Sequence, residues 1–423
     1  MRLRLPTPAD IAHKTVLVRV DFNVPLHHTR RGWQITTDKR LRSSLRTIDY
    51  LLKNNAKVVL MSHLGRPKGP KDLNLSLRPI AEYLQKEYQL PITFCESTIG
   101  NQASSAVANT PFGAVILLEN LRFFPEEKAN DVEFAKSLAK LADVYINEAF
   151  SASHRAHASI VGVTRYLPSF AGFTLSEEVS NLAKLMEHPK KPFVVVIGGA
   201  KISDKVGMLS NLAKQADIVL VGGACANTFL KAEGFEIYRS RVEEVDDTNG
   251  IDYVRVARRL ISDYKTERIL KDGYLPLPKL IYPIDVIAAP ALDTSSRAKI
   301  KTIDLMSGMA DQDEDEKWLY LDIGPKTRKL YAALLSEAGS VFWNGPMGVW
   351  ENPLFASGTR AVARAIVQSK AYSVLGGGDT IAAAHHNHTE QRFSYVSAAG
   401  GAALEFLSGK LLPGLKPLLR KKT

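Results

Sequence analysis

The chain has 423 residues, 45% of them apolar and 23% charged, with a formal net charge of +11; that length exceeds one ordinary core and implies two or three domains. No apolar run approaches the ~20 residues of a membrane helix, and "MRLRLPTPAD" is followed by no apolar stretch, so neither a membrane span nor a signal peptide is expected. The basic residues are spread along the chain and aromatic content is only 8%, which favours small anionic substrates over specific nucleic-acid binding.

"KTVLVRV" (14–20) reads as a strand, and "DKRLRSSLRTIDYLLKN" (38–54) as a helix with Leu41, Leu45, Ile48 and Leu52 on one face. "AKVVLMS" (56–62) is a strand and "LRPIAEYLQKEY" (77–88) a helix; "GAVILL" (113–118), a helix at 131–141 and "DVYINEAF" (143–150) continue the series. Repeated β-α units predict a parallel sheet covered on both faces. Cys95 and Cys225 lie 130 positions apart and match no metal-ligand spacing, as expected of a reduced, cytoplasmic protein. A helix at 174–188 precedes "PKKPFVVVIGGAK", where the alternation restarts with strands at 193–197, 217–221, 285–288, 340–343 and 372–375. The expectation is two doubly wound α/β domains, at 1–173 and 191–404, joined by a helix at 174–190, with residues 405–423 packing back on the first. The acidic run at 311–317 reads as a solvated loop, because it lacks the alternating ligands and glycine turn of a cation loop. "HHNH" (385–388) opens no second ligand set, and no acid or cysteine joins His154 and His157.

Ligands of open α/β sheets bind beyond the carboxyl ends of the strands. In the second half those ends carry glycine-rich turns: "VIGGAKISDK" (196–205), "LVGGACANTF" (220–229), "LDIGPKT" (321–327), "FWNGPMGVWE" (342–351) and "LGGGDT" (375–380). Such turns bring backbone N–H groups to a phosphate. No P-loop lysine follows Gly376–Gly378, so Lys201 and Lys205, spaced one helical turn apart, are expected to supply the positive charge. Asp379 is then free to hold Mg²⁺, and Glu351 suits a ribose diol. No G-x-G-x-x-G stands in a βαβ unit, which argues against a dinucleotide-dependent dehydrogenase. In the first half the strand ends carry Asp21, Asn23, His63, Arg66, Arg122, His154 and Arg155, and a helix start carries Arg40. Arginines in this density suit a small, highly anionic substrate.

"RVDFNVPL", "SHLGRP", "LENLRF", "HRAHAS", "GGAKISDK", "DIGPKT", "WNGPMGVWE" and "GGGDT" together, in this order, resemble the phosphoglycerate kinase family along essentially the whole chain. The resemblance implies reversible transfer of the acyl phosphate of 1,3-bisphosphoglycerate to Mg-ADP, giving ATP and 3-phosphoglycerate. It implies a glycerate site of Asp21, Asn23, Arg40, His63, Arg66, Arg122, His154 and Arg155. It implies a nucleotide site of Gly199, Ala200, Lys201, Lys205, Gly345, Glu351, Gly377, Gly378, Asp379 and Thr380, with Arg40, Lys201, Gly377 and Gly400 catalytic. A monomer that closes a cleft between its domains is implied too. The chain departs from the family at Glu148 (usually aspartate), at "SASH" (151–154, usually "GTAH") and at "SAAGGAA" (397–403, usually "STGGGAS"), with extra stretches near 239–250 and 311–316. Those changes motivate one alternative, a catalytically impaired binding relative.

Overall fold

The computed structural model describes the chain except for residues 30–31, 70–71, 247–249, 265–266, 269–276, 308–316 and 421–423, and the side chains of 267–268. The acidic run at 311–316 therefore lies outside the described residues, as does part of the 239–250 stretch. The chain divides into two compact units, Met1–Ser180 with Leu411–Thr423, and Asn181–Lys410. The first crossing falls within a helix, Phe173–Glu187. The second falls after Lys410, where the sequence reading placed it at 405.

The first unit holds strands β1 (Thr15–Arg19), β2 (Lys57–Met61), β3 (Ile92–Cys95), β4 (Val115–Leu118), β5 (Val144–Asn147) and β6 (Ser169–Ala171). They form one parallel sheet in the order β3-β4-β2-β1-β5-β6. Alternation along each strand sorts side chains between two cores. Val16, Val18, Val58, Leu60 and Ile146 pack with Leu41, Ile48, Leu51, Ile80 and Leu84 of helices Lys39–Lys53 and Arg78–Tyr88. Leu17, Val59, Met61, Ile116 and Tyr145 face Ala103, Val107, Phe134 and Leu138 of helices Gly100–Asn109 and Val132–Ala139. Both faces are covered, which is why these strands read as unbroken apolar runs. The C-terminal segment returns here: Arg4 N donates to Leu418 O (2.8 Å) and Arg420 N to Arg2 O (3.1 Å).

The second unit has β7 (Phe193–Ile197), β8 (Ile218–Val221), β9 (Leu280–Ile281), β10 (Asp285–Ala289), β11 (Lys301–Asp304), β12 (Leu319–Ile323), β13 (Ser340–Asn344), β14 (Tyr372–Gly376) and β15 (Tyr395–Ser397). Six make a parallel sheet in the order β9-β8-β7-β13-β14-β15. The 285–288 run is not among them. β10 lies antiparallel between β11 and β12 in a separate three-stranded sheet, with a bulge between Ile287 and Ala288. Its apolar alternation serves two small clusters instead. Val286 and Ala288 pack with Leu230, Leu305 and Tyr320, and Ala289 and Ile287 with Leu321 and Phe355. Alternation says that a strand is buried, not which partner it pairs with.

Candidate active site

In the first unit, every polar residue singled out from the sequence follows the carboxyl end of β1, β2, β4 or β5, except Arg40, which comes from the first turn of helix Lys39–Lys53. Arg40 forms an ion pair with Asp21 (3.3 Å) and donates to Asn23 O (2.8 Å). Asn23 Oδ1 accepts from Gly65 N (2.9 Å), and Gly65 O accepts from Arg122 Nη1 (2.5 Å). These bonds tie three strand-end loops into one constellation. Arg122 Nε is buried without a hydrogen-bond partner. A buried guanidinium N–H left so is costly unless a ligand meets it. Arg155 Nε donates to His154 Nε2 (3.0 Å), and the Arg66 and Arg155 side chains are exposed.

Sequence reasoning missed Arg19. It sits inside β1 on the face opposite Val18, is 1% exposed, and reaches His63 Nδ1 with Nη2 (3.0 Å) and Ser159 Oγ with Nε (3.0 Å). A guanidinium is a donor only, so Nδ1 of His63 accepts and its Nε2 carries the proton. Burial first, then the charges of Arg19, Arg122, Arg40 and Arg155, hold His63 well below the ordinary histidine range. It is therefore a neutral donor at physiological pH. The same causes bring His157 down to about 4 and, for Arg122, burial and neighbouring arginines lower its value to about 10, still protonated. The signal for Arg19 was in the sequence: a charged residue at a core position of "KTVLVRV". Glu127, fully buried, was also missed; it accepts from Ser159 N (2.9 Å) and Oγ (2.6 Å) beside His157 Nδ1 (3.7 Å). The serine of "SASH" has a partner too: Ser151 Oγ donates to Asp21 Oδ2 (2.5 Å).

In the second unit the glycine turns converge. Gly199 N donates to Pro346 O (2.7 Å), and a Cβ on Gly345 would lie 2.1 Å from Gly198 O. Only glycine allows the turns after β7 and β13 to approach so closely. Thr380 Oγ1 accepts from Gly345 N (2.7 Å), which joins the turn after β14 to the other two. Gly377, at φ +88°, turns the chain into helix Gly378–His386. The N-terminus of that helix opens on a cavity of about 510 Å³, also lined by Gly199, Ala200, Lys205, Gly345, Gly400 and Asp379. Free N–H groups and the helix dipole make this end favourable for phosphate. A second cavity of about 370 Å³ shares Gly199, Ala200, Pro346 and Asp379 with the first and adds Leu292, Val349, Trp350 and Glu351.

Lys201 and Lys205 do not lie on a helical turn: the helix starts at Val206, and Lys205 N bonds to Ile202 O (2.9 Å) in a turn before it. The lysines' spacing of four suits a helical turn, but Gly199 at φ +85° leads the chain into a non-helical turn first. Lys205 is 8% exposed and its Nζ donates to Lys201 O (3.1 Å); the Lys201 side chain is exposed and lines neither cavity. Asp379 is not the sole acid at the phosphate turn, since Asp204 and Glu405 also line the larger cavity.

Two parallel-sheet α/β units, one with arginines clustered at its strand ends and one with glycine turns around a cavity of about 510 Å³ at a helix N-terminus, are the architecture of a two-domain kinase. The phosphoglycerate kinase family profile matches residues 7–410. The phosphoglycerate kinase of Herpetosiphon aurantiacus is 44% identical over 405 residues, covering 96% of each chain. That of Pseudothermotoga lettingae is 43% identical over 413 residues, covering 98% of each. Among solved structures, phosphoglycerate kinase from Coxiella burnetii superposes with a TM-score of 0.80 at 36% identity, over 96% of both chains. The chain belongs to the phosphoglycerate kinase family, and glycolysis is the pathway of that family's reaction.

Proposed function

We propose that the chain moves the acyl phosphate of 1,3-bisphosphoglycerate to the terminal phosphate of ADP, reversibly, giving 3-phosphoglycerate and ATP. The observation that carries this reading is the buried, unpartnered Nε of Arg122 within the arginine group around neutral His63. A cluster of guanidinium groups and one N–H donor suits a ligand carrying phosphate and carboxylate together. Asp21, Asn23, Arg40, His63, Arg66, Arg122, His154 and Arg155 hold the glycerate in this reading. Asp21 grips a substrate hydroxyl.

Gly199, Ala200, Lys201, Lys205, Gly345, Gly377, Gly378, Asp379 and Thr380 hold the phosphates of the nucleotide, and Glu351 its ribose. Mg²⁺ carried on a nucleotide usually needs only one or two carboxylates. Asp379, exposed at the mouth of the phosphate cavity, fits that requirement. The ion supplies neutralisation of phosphate charge when bound. Arg40, Lys201 and the backbone N–H groups of Gly377 and Gly400 stabilise the phosphoryl group in flight. The phosphoryl group passes in line, without a covalent intermediate. Because each ligand set belongs to a different unit, transfer requires the two units to close and bring the reacting atoms to about 3–3.5 Å. We place the enzyme in the cytoplasm as a monomer; both cysteines are free, buried thiols, which fits a reducing compartment. Among the described residues, no helix is long and apolar enough to cross a membrane.

The test is a coupled assay for ATP formation from ADP and 1,3-bisphosphoglycerate. The bond from Ser151 to Asp21 favours a second reading, a binding relative with impaired catalysis. Turnover in that assay excludes it, and its absence despite binding of both ligands establishes it.

A further inference from the structure

A buried polar chain runs behind the first site, from Glu127 in helix Pro125–Ala129 to His63 after β2. Ser159, in the turn Ala158–Gly162, is its hub. Its N and Oγ donate to the two oxygens of Glu127 (2.9 and 2.6 Å), and its O accepts from Tyr145 OH (2.8 Å). Its Oγ also accepts from Arg19 Nε (3.0 Å). Arg19 donates Nη1 to Val20 O (2.5 Å) and Nη2 to His63 Nδ1 (3.0 Å). Glu127, Ser159 and Tyr145 are 0% exposed. None of the three can therefore meet a ligand directly.

The chemistry of the members fixes every proton in this chain. A carboxylate only accepts, so the one proton of the Ser159 hydroxyl points at Glu127 and a lone pair is left for Arg19. A guanidinium only donates, and bonds from Nε, Nη1 and Nη2 leave its plane a single orientation. His63 then accepts at Nδ1 and presents Nε2–H. We infer that Glu127 and Ser159 are positioning residues of the glycerate site: through Arg19 they hold the His63 ring in the tautomer that offers a donor to an oxygen of the substrate. The inference rests on the glycerate role proposed above for the first unit. A role confined to folding the turn Ala158–Gly162 would use the same bonds to Glu127, so the test reads His63 itself.

Long-range ¹H–¹⁵N spectra of the full chain report which ring nitrogen carries the proton, and His63→Gln identifies the His63 signals by their loss. The wild type is expected to show Nε2–H alone; a proton on Nδ1 overturns the inference without any further variant. Ser159→Ala leaves Arg19 Nε unpaired, and Glu127→Gln sets an amide donor against one of the two Ser159 donors. Each is expected to show both His63 tautomers. Each is also expected to raise the KM for 3-phosphoglycerate about tenfold while moving the KM for Mg-ATP less than about twofold. Turnover at saturating 3-phosphoglycerate shows that a variant is folded, and Ser159→Ala decides where the buried amide prevents folding. A raised KM with the His63 tautomer unchanged overturns the inference in favour of a structural role, and so do equal changes in both KM values. Arg19→Lys keeps the charge and loses the fork; in that background Ser159→Ala is expected to add less than about twofold, because residues acting through one group are not additive. Multiplying losses overturn the route through Arg19. A wild type that turns over no 3-phosphoglycerate overturns the proposed function, while the tautomer in wild type and Ser159→Ala still decides what these residues position.

Discussion

Replacing Glu148 by glutamine is expected to flatten part of the pH dependence of folding stability between about pH 4.5 and 7. Glu148 is buried just beyond β5, where the first turn of helix Phe173–Glu187 meets helix Lys39–Lys53. Oε1 accepts a short bond from Thr47 Oγ1 (2.7 Å), but the backbone bonds are long: Thr174 N at 3.2 Å and Leu175 N at 3.4 Å. Burial outweighs these three donors and pushes the carboxyl up from 4.5 to about 7. The folded state thus binds this proton more tightly than the unfolded chain. Its contribution is fully present below pH 4.5, declines as the unfolded carboxyl ionises, and is gone once pH passes about 7. A displacement from 4.5 to about 7 corresponds to about 3 kcal/mol. Asp322, buried in the second unit, is also raised to about 7, so the wild-type profile alone does not isolate Glu148. The difference between wild type and Glu148→Gln does, since Asp322 is common to both. Urea denaturation of the two proteins at pH 5 and pH 8 should show the variant gaining about 2.5 kcal/mol relative to wild type at the higher pH, slightly less than the full displacement because the unfolded carboxyl is already partly ionised at pH 5. Any fixed cost of the amide is the same at both pH values and cancels. A wild-type-to-variant difference that is equal at pH 5 and pH 8 refutes the reasoning.

Arg40→Ala is expected to lower kcat by roughly 10²-fold or more, well beyond its effect on the KM for 3-phosphoglycerate, as loss of a transition-state donor does; preserved kcat with a raised KM reassigns Arg40 to ground-state binding. Asp379→Ala is expected to weaken Mg-ADP binding while sparing 3-phosphoglycerate, which calorimetry with each ligand reads directly; unchanged Mg-ADP affinity moves the ion to Asp204 or Glu405, the other acids of that cavity. Small-angle scattering is expected to show the smallest radius of gyration with both Mg-nucleotide and 3-phosphoglycerate bound, and equal dimensions in free and doubly liganded protein contradict closure.

The parallel sheets were legible because each central strand is buried on both faces and so carries an unbroken apolar run, as in "KVVL" and "FVVVI". Edge strands β3, β6, β9 and β15 have two to four residues, too few for period-2 alternation to stand out. β10 was legible as a strand but not as a member of the small antiparallel sheet, since pairing direction depends on connections and not on local pattern. The strand-end arginines and histidines of the first unit stood out in the sequence as a group, since any one of them alone reads as a surface residue. Arg19 and Glu127 did not. Arg19 hides within a strand and Glu127 within a short helix.

The titrating groups of the first site also limit the chemistry it can do. A kinase that phosphorylates a hydroxyl generally needs a carboxylate placed to take the proton. Asp21 is committed to Arg40 and Ser151, and Asn23 N donates to its Oδ1 (3.2 Å). Glu127 is fully buried and turned toward Ser159. His63 directs its acceptor nitrogen at Arg19, so the atom left for a ligand is a donor. His157, at about 4, is a weak base beneath the same arginines. A hydroxyl acceptor would find no free base among these groups. A carboxylate acceptor finds what it needs, because it is already ionised at neutral pH and asks only for donors and positive charge. The terminal phosphate of a nucleoside diphosphate, the acceptor in the opposite direction, is likewise ionised. An arginine-rich site in which Asp21, Glu127, His63 and His157 are so engaged is suited to moving phosphate between two anions, such as the glycerate carboxylate and a nucleoside diphosphate.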